Sequence, residues 1–239
     1  MAGAGSDATL GDMRGHQPRA RRLALAAAVA APASYARWVR PRLLSWGATR
    51  DETTGAYPGD ELIPDPDGGA TMATTLPAPP ERVWPWLVQM GGGRGGWYSW
   101  DWLDNNGAPS ADHIVPQWQR LEQGQHLYRA PKGPNNWFTV VVLEPNRSLV
   151  LQASYGSLTG QGFDPRSGPR PWAYLEGIWG FHLRSGPAGR TRLVVRTRSR
   201  GRPRWFVRPY DLLLGELLHF LLRTRQFHNL RARVGGAEA

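Results

Sequence analysis

Between Ala78 and Leu103 the chain reads APPERVWPWLVQMGGGRGGWYSWDWL, and no other stretch limits its fold so strongly. Five of the twelve tryptophans, one tyrosine and five glycines fall within these 26 residues. Pro79 and Pro80 suit a helix start, where the first amides lack intrahelical acceptors, and Glu81 complements the positive end of the helix. Val83, Trp86, Leu87 and Met90 then share one face at helical spacing. Pro85 lacks the amide that would bond back to the Glu81 carbonyl, so a kink is expected there. Gly91 to Gly93 stop the helix, and Gly95 and Gly96 keep the chain turning. The run Trp97-Tyr98-Ser99-Trp100-Asp101-Trp102 is too aromatic for a surface loop; it must be buried against something or must bury something.

Downstream, Gln125 to Ala130, Trp137 to Leu143, Ser148 to Tyr155, Trp172 to Leu183 and Thr191 to Arg200 alternate or are β-branched, and Thr71 to Leu76 does so upstream. Pro145 and Asn146 predict a hairpin turn between the third and fourth strands, and Ser185 to Gly189 predicts another between the last two. In the last strand Arg192, Arg196, Arg198 and Arg200 share one face, while Leu193, Val195 and Thr197 share the other. This is expected to set an arginine ladder toward water over an apolar inner face. A long helix is predicted from Pro209 to about Arg233, with Leu212, Leu213, Leu214, Leu217, Leu218, Leu221 and Leu222 making it apolar around most of its circumference. The fold class is therefore α+β: strand, kinked helix, antiparallel strands, long C-terminal helix.

The upstream residues divide by composition. Residues 1–18 are small and polar and predict a disordered tail. Residues 19–46 form an amphipathic helical extension, in which Arg19, Arg21 and Arg22 precede the short apolar run Leu23 to Ala33. That run fits a surface helix or interfacial anchor, a secretory signal, or a short membrane span. Residues 47–69 read as an extended linker packing on the domain, residues 70–234 as the domain itself and residues 235–239 as a tail.

The formal charge of +10 is uneven. Basic residues outnumber acidic ones by six over residues 1–50 and by eight over residues 191–239, whereas acidic residues lead by four between them. Nine of the twelve tryptophans lie in this acidic middle, apart from most arginines, so no nucleic-acid partner is expected. The absence of cysteine excludes disulfides, thiolate catalysis and cysteine-bound metals. The six histidines show no metal-ligand spacing, and Asp60, Glu61, Asp65 and Asp67 lack the alternating pattern of a calcium loop. Gly91 to Gly96 follows a helix and carries no lysine, unlike a phosphate loop. No cofactor and no metal are expected.

The segments Arg40-Pro41-Arg42-Leu43-Leu44-Ser45-Trp46-Gly47-Ala48-Thr49, Pro58-Gly59-Asp60-Glu61-Leu62, Ala78 to Gly91, Gly96-Trp97-Tyr98-Ser99 and Asp101-Trp102-Leu103 resemble an actinobacterial group within the START-like SRPBCC superfamily, which includes polyketide cyclases and lipid carriers. The resemblance runs from about residue 38 onward. It implies a helix-grip fold, with seven antiparallel strands wrapped around the last helix and a cavity between them. Two departures stand out. Trp100 occupies a place where a tyrosine is expected, and the glycine- and proline-rich insertion Gly156 to Pro171 has the makings of a lid.

An aromatic-lined cavity with a few polar groups suits binding or carriage of a hydrophobic small molecule or lipid, without catalysis. The candidate ligand-binding residues are Trp86, Gln89, Met90, Arg94, Trp97, Tyr98, Trp100, Asp101, His113, Trp179 and Leu217. An alternative is a cyclase- or dehydratase-like enzyme using Asp101 with Tyr98 or His113, although Asp101 equally suits bracing the turn through backbone amides. A second alternative is a membrane-peripheral structural protein with a filled core. The expected location is the cytoplasm, with residues 19–45 as the segment that would touch a membrane surface.

Overall fold

The computed structural model of the chain describes residues 30, 32–130, 136–165 and 167–236. Residues 1–42 and 43–239 are separate compact units. In the first, the π-helical turn Tyr35–Val39 sets the Arg37 guanidinium 4.8 Å from the ring of the exposed Trp38. The expected tail over residues 1–18 and most of the apolar run lie outside the described residues. Among the described residues no helix is long and apolar enough to cross a membrane.

Helix α1 (Arg40–Leu44) and helix α2 (Arg50–Thr54) precede strand β1 (Gly68–Leu76). Then come α3 (Pro80–Val88), α4 (Asp101–Asp104), β2 (His126–Tyr128), β3 (Trp137–Glu144), β4 (Ser148–Gly156), β5 (Tyr174–Ser185) and β6 (Thr191–Arg202). Among the described residues these six strands form one antiparallel sheet in the order β1-β6-β5-β4-β3-β2, one strand fewer than the resemblance implies. Both predicted hairpins are present. Asn146, at a φ of 60°, turns β3 into β4, and Ala188, at 56°, turns β5 into β6. With the C-terminal helix across one face, the architecture is an α+β helix grip.

That helix departs from expectation at its start. It begins as α5 (Arg204–Tyr210), passes through the π-helical turn Asp211–Gly215, and continues as α6 (Glu216–Gly235). Pro203 supplies the first carbonyl, accepting from the amides of Phe206 (3.1 Å) and Val207 (3.2 Å), a role the sequence suggested for Pro209. Pro209 instead lies within α5, just before the π turn, where a missing amide and a wider turn fit together.

Alternation gives the sheet two buried faces. Met72, Leu76, Leu149, Leu151, Phe181, Leu193 and Val195 form the inner core with Val83 and Leu87 of α3 and Phe227, Leu230 and Val234 of α6. Ala73 and Val194 on the outer face pack against Tyr57, while Val150 and Ile178 pack against Ile63.

The predicted water-facing arginine ladder is accordingly covered. Residues 47–67 cross it as a strap whose carboxylates meet the arginines, Glu52 with Arg192, Asp60 with Arg196 and Arg198, and Asp67 with Arg202 and Arg204. Arg192 clasps Glu52 through two bonds of 2.8 Å, from Nε to Oε1 and from Nη2 to Oε2. Arg196 Nε bonds Asp60 Oδ1 at 2.7 Å, and Arg198 reaches the carbonyls of Ile63 (2.9 Å) and Pro64 (2.8 Å). Arg200 bonds Glu176, and Arg202 and Arg204 share Asp67. Two local devices fix the strap. Thr49 and Glu52 close a capping box at the start of α2. At Gly47, with φ of 72°, a Cβ would lie 2.2 Å from the Ala73 carbonyl oxygen, so only glycine fits.

Candidate ligand-binding site

The aromatic stretch folds into a bracket. After α3 ends, Gly91 and Gly96 pair as an isolated bridge. Gly96 has a φ of 71°, and a Cβ there would stand 2.4 Å from Ser110 Oγ. The turn sends Tyr98 back into the core, where its hydroxyl donates to the Trp86 carbonyl (3.0 Å) and accepts from Gln89 Nε2 (2.9 Å). Burial raises the phenol well above its ordinary pKa. Gln89 Nε2 also donates to the His113 carbonyl (3.1 Å), while Oε1 accepts from the Val115 amide (3.0 Å) and Gln119 Nε2 (3.2 Å). Arg94 donates to the carbonyls of Val88 (3.1 Å) and Trp118 (2.7 Å), closing the end of α3, and burial holds its pKa below the usual arginine value.

Gln89, Met90 and Tyr98 have no accessible surface, and Trp86 and Trp97 have almost none. All five are packed in the core: Gln89 and Tyr98 bond each other, and the Trp97 indole N–H donates to the Arg129 carbonyl (2.7 Å).

Other candidates are placed apart. Asp101 braces the turn: Oδ2 accepts from the Ser110 amide (3.0 Å) and Oδ1 from its hydroxyl (2.5 Å). His113 is exposed and bonded to Asp112 at 2.7 Å. Among the described residues no hydrogen bond joins Asp101 to the Tyr98 hydroxyl or the His113 ring, so the proposed catalytic grouping is not assembled. Trp100 is 40% exposed beneath Arg225, whose guanidinium lies 4.6 Å from its ring. Leu217 is 46% exposed and faces away from the inner core. The insertion after β4 is pinned down, with the Phe163 amide on the Ser154 carbonyl (3.0 Å) and the Ser157 amide on the Ala173 carbonyl (2.9 Å).

Trp179 behaves differently. It lies on the inner face, 5.2 Å from Trp97, 5.5 Å from Phe138 and 4.9 Å from Phe181 between ring centres. Both it and Phe138 keep part of their surface accessible. Beyond them the floor becomes low, with Ala153, Gly177 and Ser199 side by side on neighbouring strands. Farther along, Leu175, Ser199, Gly201 and Val207 help to line a shallow, solvent-open hollow beside α5, with room for about one water molecule.

Helix α6 lies over the aromatic wall with its amphipathicity reversed. At about 3.6 residues per turn, Glu216, His219, Arg223, Gln226 and Leu230 form one stripe, and Leu217, Leu218 and Leu221 lie opposite. Glu216, Arg223 and Gln226 are buried, whereas all three leucines are exposed. The leucine-rich composition that suggested an apolar helix thus belongs largely to its outer face. Arg223 is 5% exposed, and its guanidinium carbon stands 4.2 Å from the centre of the Trp179 ring. Its Nη1 donates to Gln226 Oε1, and Gln226 Nε2 is anchored on the Trp97 carbonyl at 2.8 Å. Arg223 Nε and Trp179 Nε1 are buried without hydrogen-bond partners.

The electrostatics reflect that isolation. Burial pushes Arg223 down to about 9, and burial together with the Arg223 charge takes His219 down to about 3. Asp104 on α4 rises to about 6, through burial first and Asp101 second, and its Oδ1 is also buried without a partner. Among the described residues no group of three or more His, Asp or Glu side chains is arranged to hold a metal. Phe138, Phe181, His219, Arg223 and Asp104 were not among the sequence candidates. The polar residues recurring every three or four positions through a leucine-rich helix were the available signal.

No family model matches the chain, and no curated protein matches it. Among solved structures it is similar to protein MLL2253 from Mesorhizobium loti, with 16% identity, a TM-score of 0.39, and coverage of 70% of this chain and 97% of that one. It is also similar to DynU16, a protein of the dynemicin biosynthetic locus, with 21% identity, a TM-score of 0.33, and coverage of 66% and 47%. For CalU16 from Micromonospora echinospora the values are 12% identity, a TM-score of 0.31, and coverage of 72% and 88%.

Proposed function

We propose that the protein binds a hydrophobic small molecule or lipid against the accessible part of the inner sheet face, beneath the first turns of α6, and that it does so without catalysis. The observation that carries this reading is the reversed helix. A helix serving only to fill a core would turn Leu217, Leu218 and Leu221 inward, yet α6 buries Glu216, Arg223 and Gln226 instead and sets Arg223 over the rings of Trp179 and Phe181. An apolar wall with two buried donors that lack acceptors, Arg223 Nε and Trp179 Nε1, suits a small-molecule site: the wall supplies affinity and the donors fix orientation. The dispersed hydrogen bonding of Asp101, Tyr98 and His113 favours binding over the cyclase-like alternative.

Native mass spectrometry of protein purified from its own host tests this, followed by extraction and reloading with lipids and aromatic polyketides. A co-purified or reloaded species that protects Trp179 fluorescence from quenching, and that Trp179→Ala no longer retains, is expected. No bound species in either arm would overturn the proposal.

A further inference from the structure

The unpartnered groups beneath α6 also specify what kind of ligand belongs there. Arg223 is buried to about the same degree as Glu52 and Glu176, yet each of those carboxylates is matched by an arginine. Among the described residues no carboxylate lies within ion-pair distance of Arg223. Gln226 takes its Nη1 side, and the ring of Trp179 covers one face of the guanidinium. What remains is the Nε edge, with the Trp179 indole N–H as a second buried donor lacking an acceptor. A buried arginine held without a counter-ion is costly, and the cost falls when an anion arrives to take up its donors. Asp104, which senses the Arg223 charge, comes from α4 and does not reach it. Glu216 lies seven residues back along the same stripe, about 10 Å in axial rise.

We infer that the ligand is an organic acid, with a hydrophobic body lying on Phe138 and Trp179 and a carboxylate received by Arg223 and the Trp179 indole N–H. The inference rests on the small-molecule reading above and narrows it to a chemical class. A guanidinium fork matches a carboxylate in plane and spacing, as Arg192 does with Glu52 on the opposite face of the sheet. The ligand's acid therefore fills on the inner face the place that a strap carboxylate fills on the outer one.

Matched probes test this with the full-length protein: 2-naphthoate against 2-naphthamide, and decanoate against decanamide, each followed by calorimetry and tryptophan fluorescence. Each acid is expected to bind about ten-fold or more tightly than its neutral amide, the scale of a charge-assisted hydrogen bond. Arg223→Gln should bring that ratio close to one while amide binding persists, and Arg223→Lys should keep part of the preference. Trp179→Phe, which keeps an aromatic wall but removes the N–H, should weaken the acids several-fold and leave the amides almost unchanged. If amides bind as tightly as acids, or if Arg223→Gln leaves the ratio intact in a folded protein, the acid assignment is wrong and the small-molecule reading stands. If neither acids nor amides bind, and native protein carries nothing, both fail together.

Discussion

Arginines lie against both faces of this sheet, and they are treated in opposite ways. On the outer face Arg192, Arg196, Arg200 and Arg202 each meet a carboxylate within 2.9 Å, and the strap that supplies three of those carboxylates is itself buried around Tyr57 and Ile63. On the inner face Arg223 is buried more deeply, over the rings of Trp179 and Phe181 and bonded to Gln226, and among the described residues no carboxylate pairs with it. The contrast separates charge that holds a fold together from charge kept available. Breaking a closed pair strands its partner, whereas removing an isolated charge relieves a desolvation cost.

The strongest test of that contrast is Glu52→Gln. It leaves Arg192 and the Thr49 amide with a weaker acceptor, and chemical denaturation should show a loss of roughly 3 kcal/mol. Its acid profile should change as well. The Arg192 bonds hold Glu52 near a pKa of about 2, below the ordinary 4.5, so its contribution is complete above about 4.5 and disappears as pH falls through 2. His182, buried against Tyr57 and Ser148, is depressed from 6.5 to about 4, so its contribution fades across that higher window. Melting temperatures measured from pH 7 to pH 2 should fall in both windows for the natural chain. In Glu52→Gln only the slope below 4.5 should flatten.

Asp67→Asn probes the exposed end of the same strap. Its partners Arg202 and Arg204 have side chains 36% and 58% exposed, so the expected loss is about 1 kcal/mol. A loss equal to that of Glu52→Gln would show that burial does not grade these pairs. Arg223→Met should change stability least, by under about 1 kcal/mol or in the stabilising direction, because a packed methionine replaces an unpaired charge. A loss on the scale of Glu52→Gln would place Arg223 among the structural arginines and remove the contrast.

What the sequence made legible follows the range of each interaction. The glycine stop, the hairpin turns and the inner and outer sets of β6 depend on neighbours a few residues apart, and they are found where expected. Residues 47–69 read as a linker packing on the domain, but the ion pairs of the strap were not legible, because Glu52, Asp60 and Asp67 resemble an ordinary acidic turn until the arginines far downstream are brought to them. The aromatic stretch was hard to read for a different reason. Tryptophan density drew attention to Trp86 through Trp102, but a dense aromatic run can satisfy itself, as Tyr98 and Gln89 do. In α6 the leucine count obscured its arrangement, although the spacing of His219, Arg223 and Gln226 was present in the letters.

The strap also orders events in time. Glu52 and Arg192 are 140 residues apart, Asp60 and Arg196 136, and Asp67 and Arg202 135, while β1 pairs with β6. During synthesis the carboxylates emerge well before their arginines, so the outer face closes only after β6 has been made. Contacts of such separation carry the full entropy of closing a long loop before any of them stabilises, which slows folding. The hairpins from β3 to β6 can assemble first, and the strap then acts as a latch that sets only on a finished sheet.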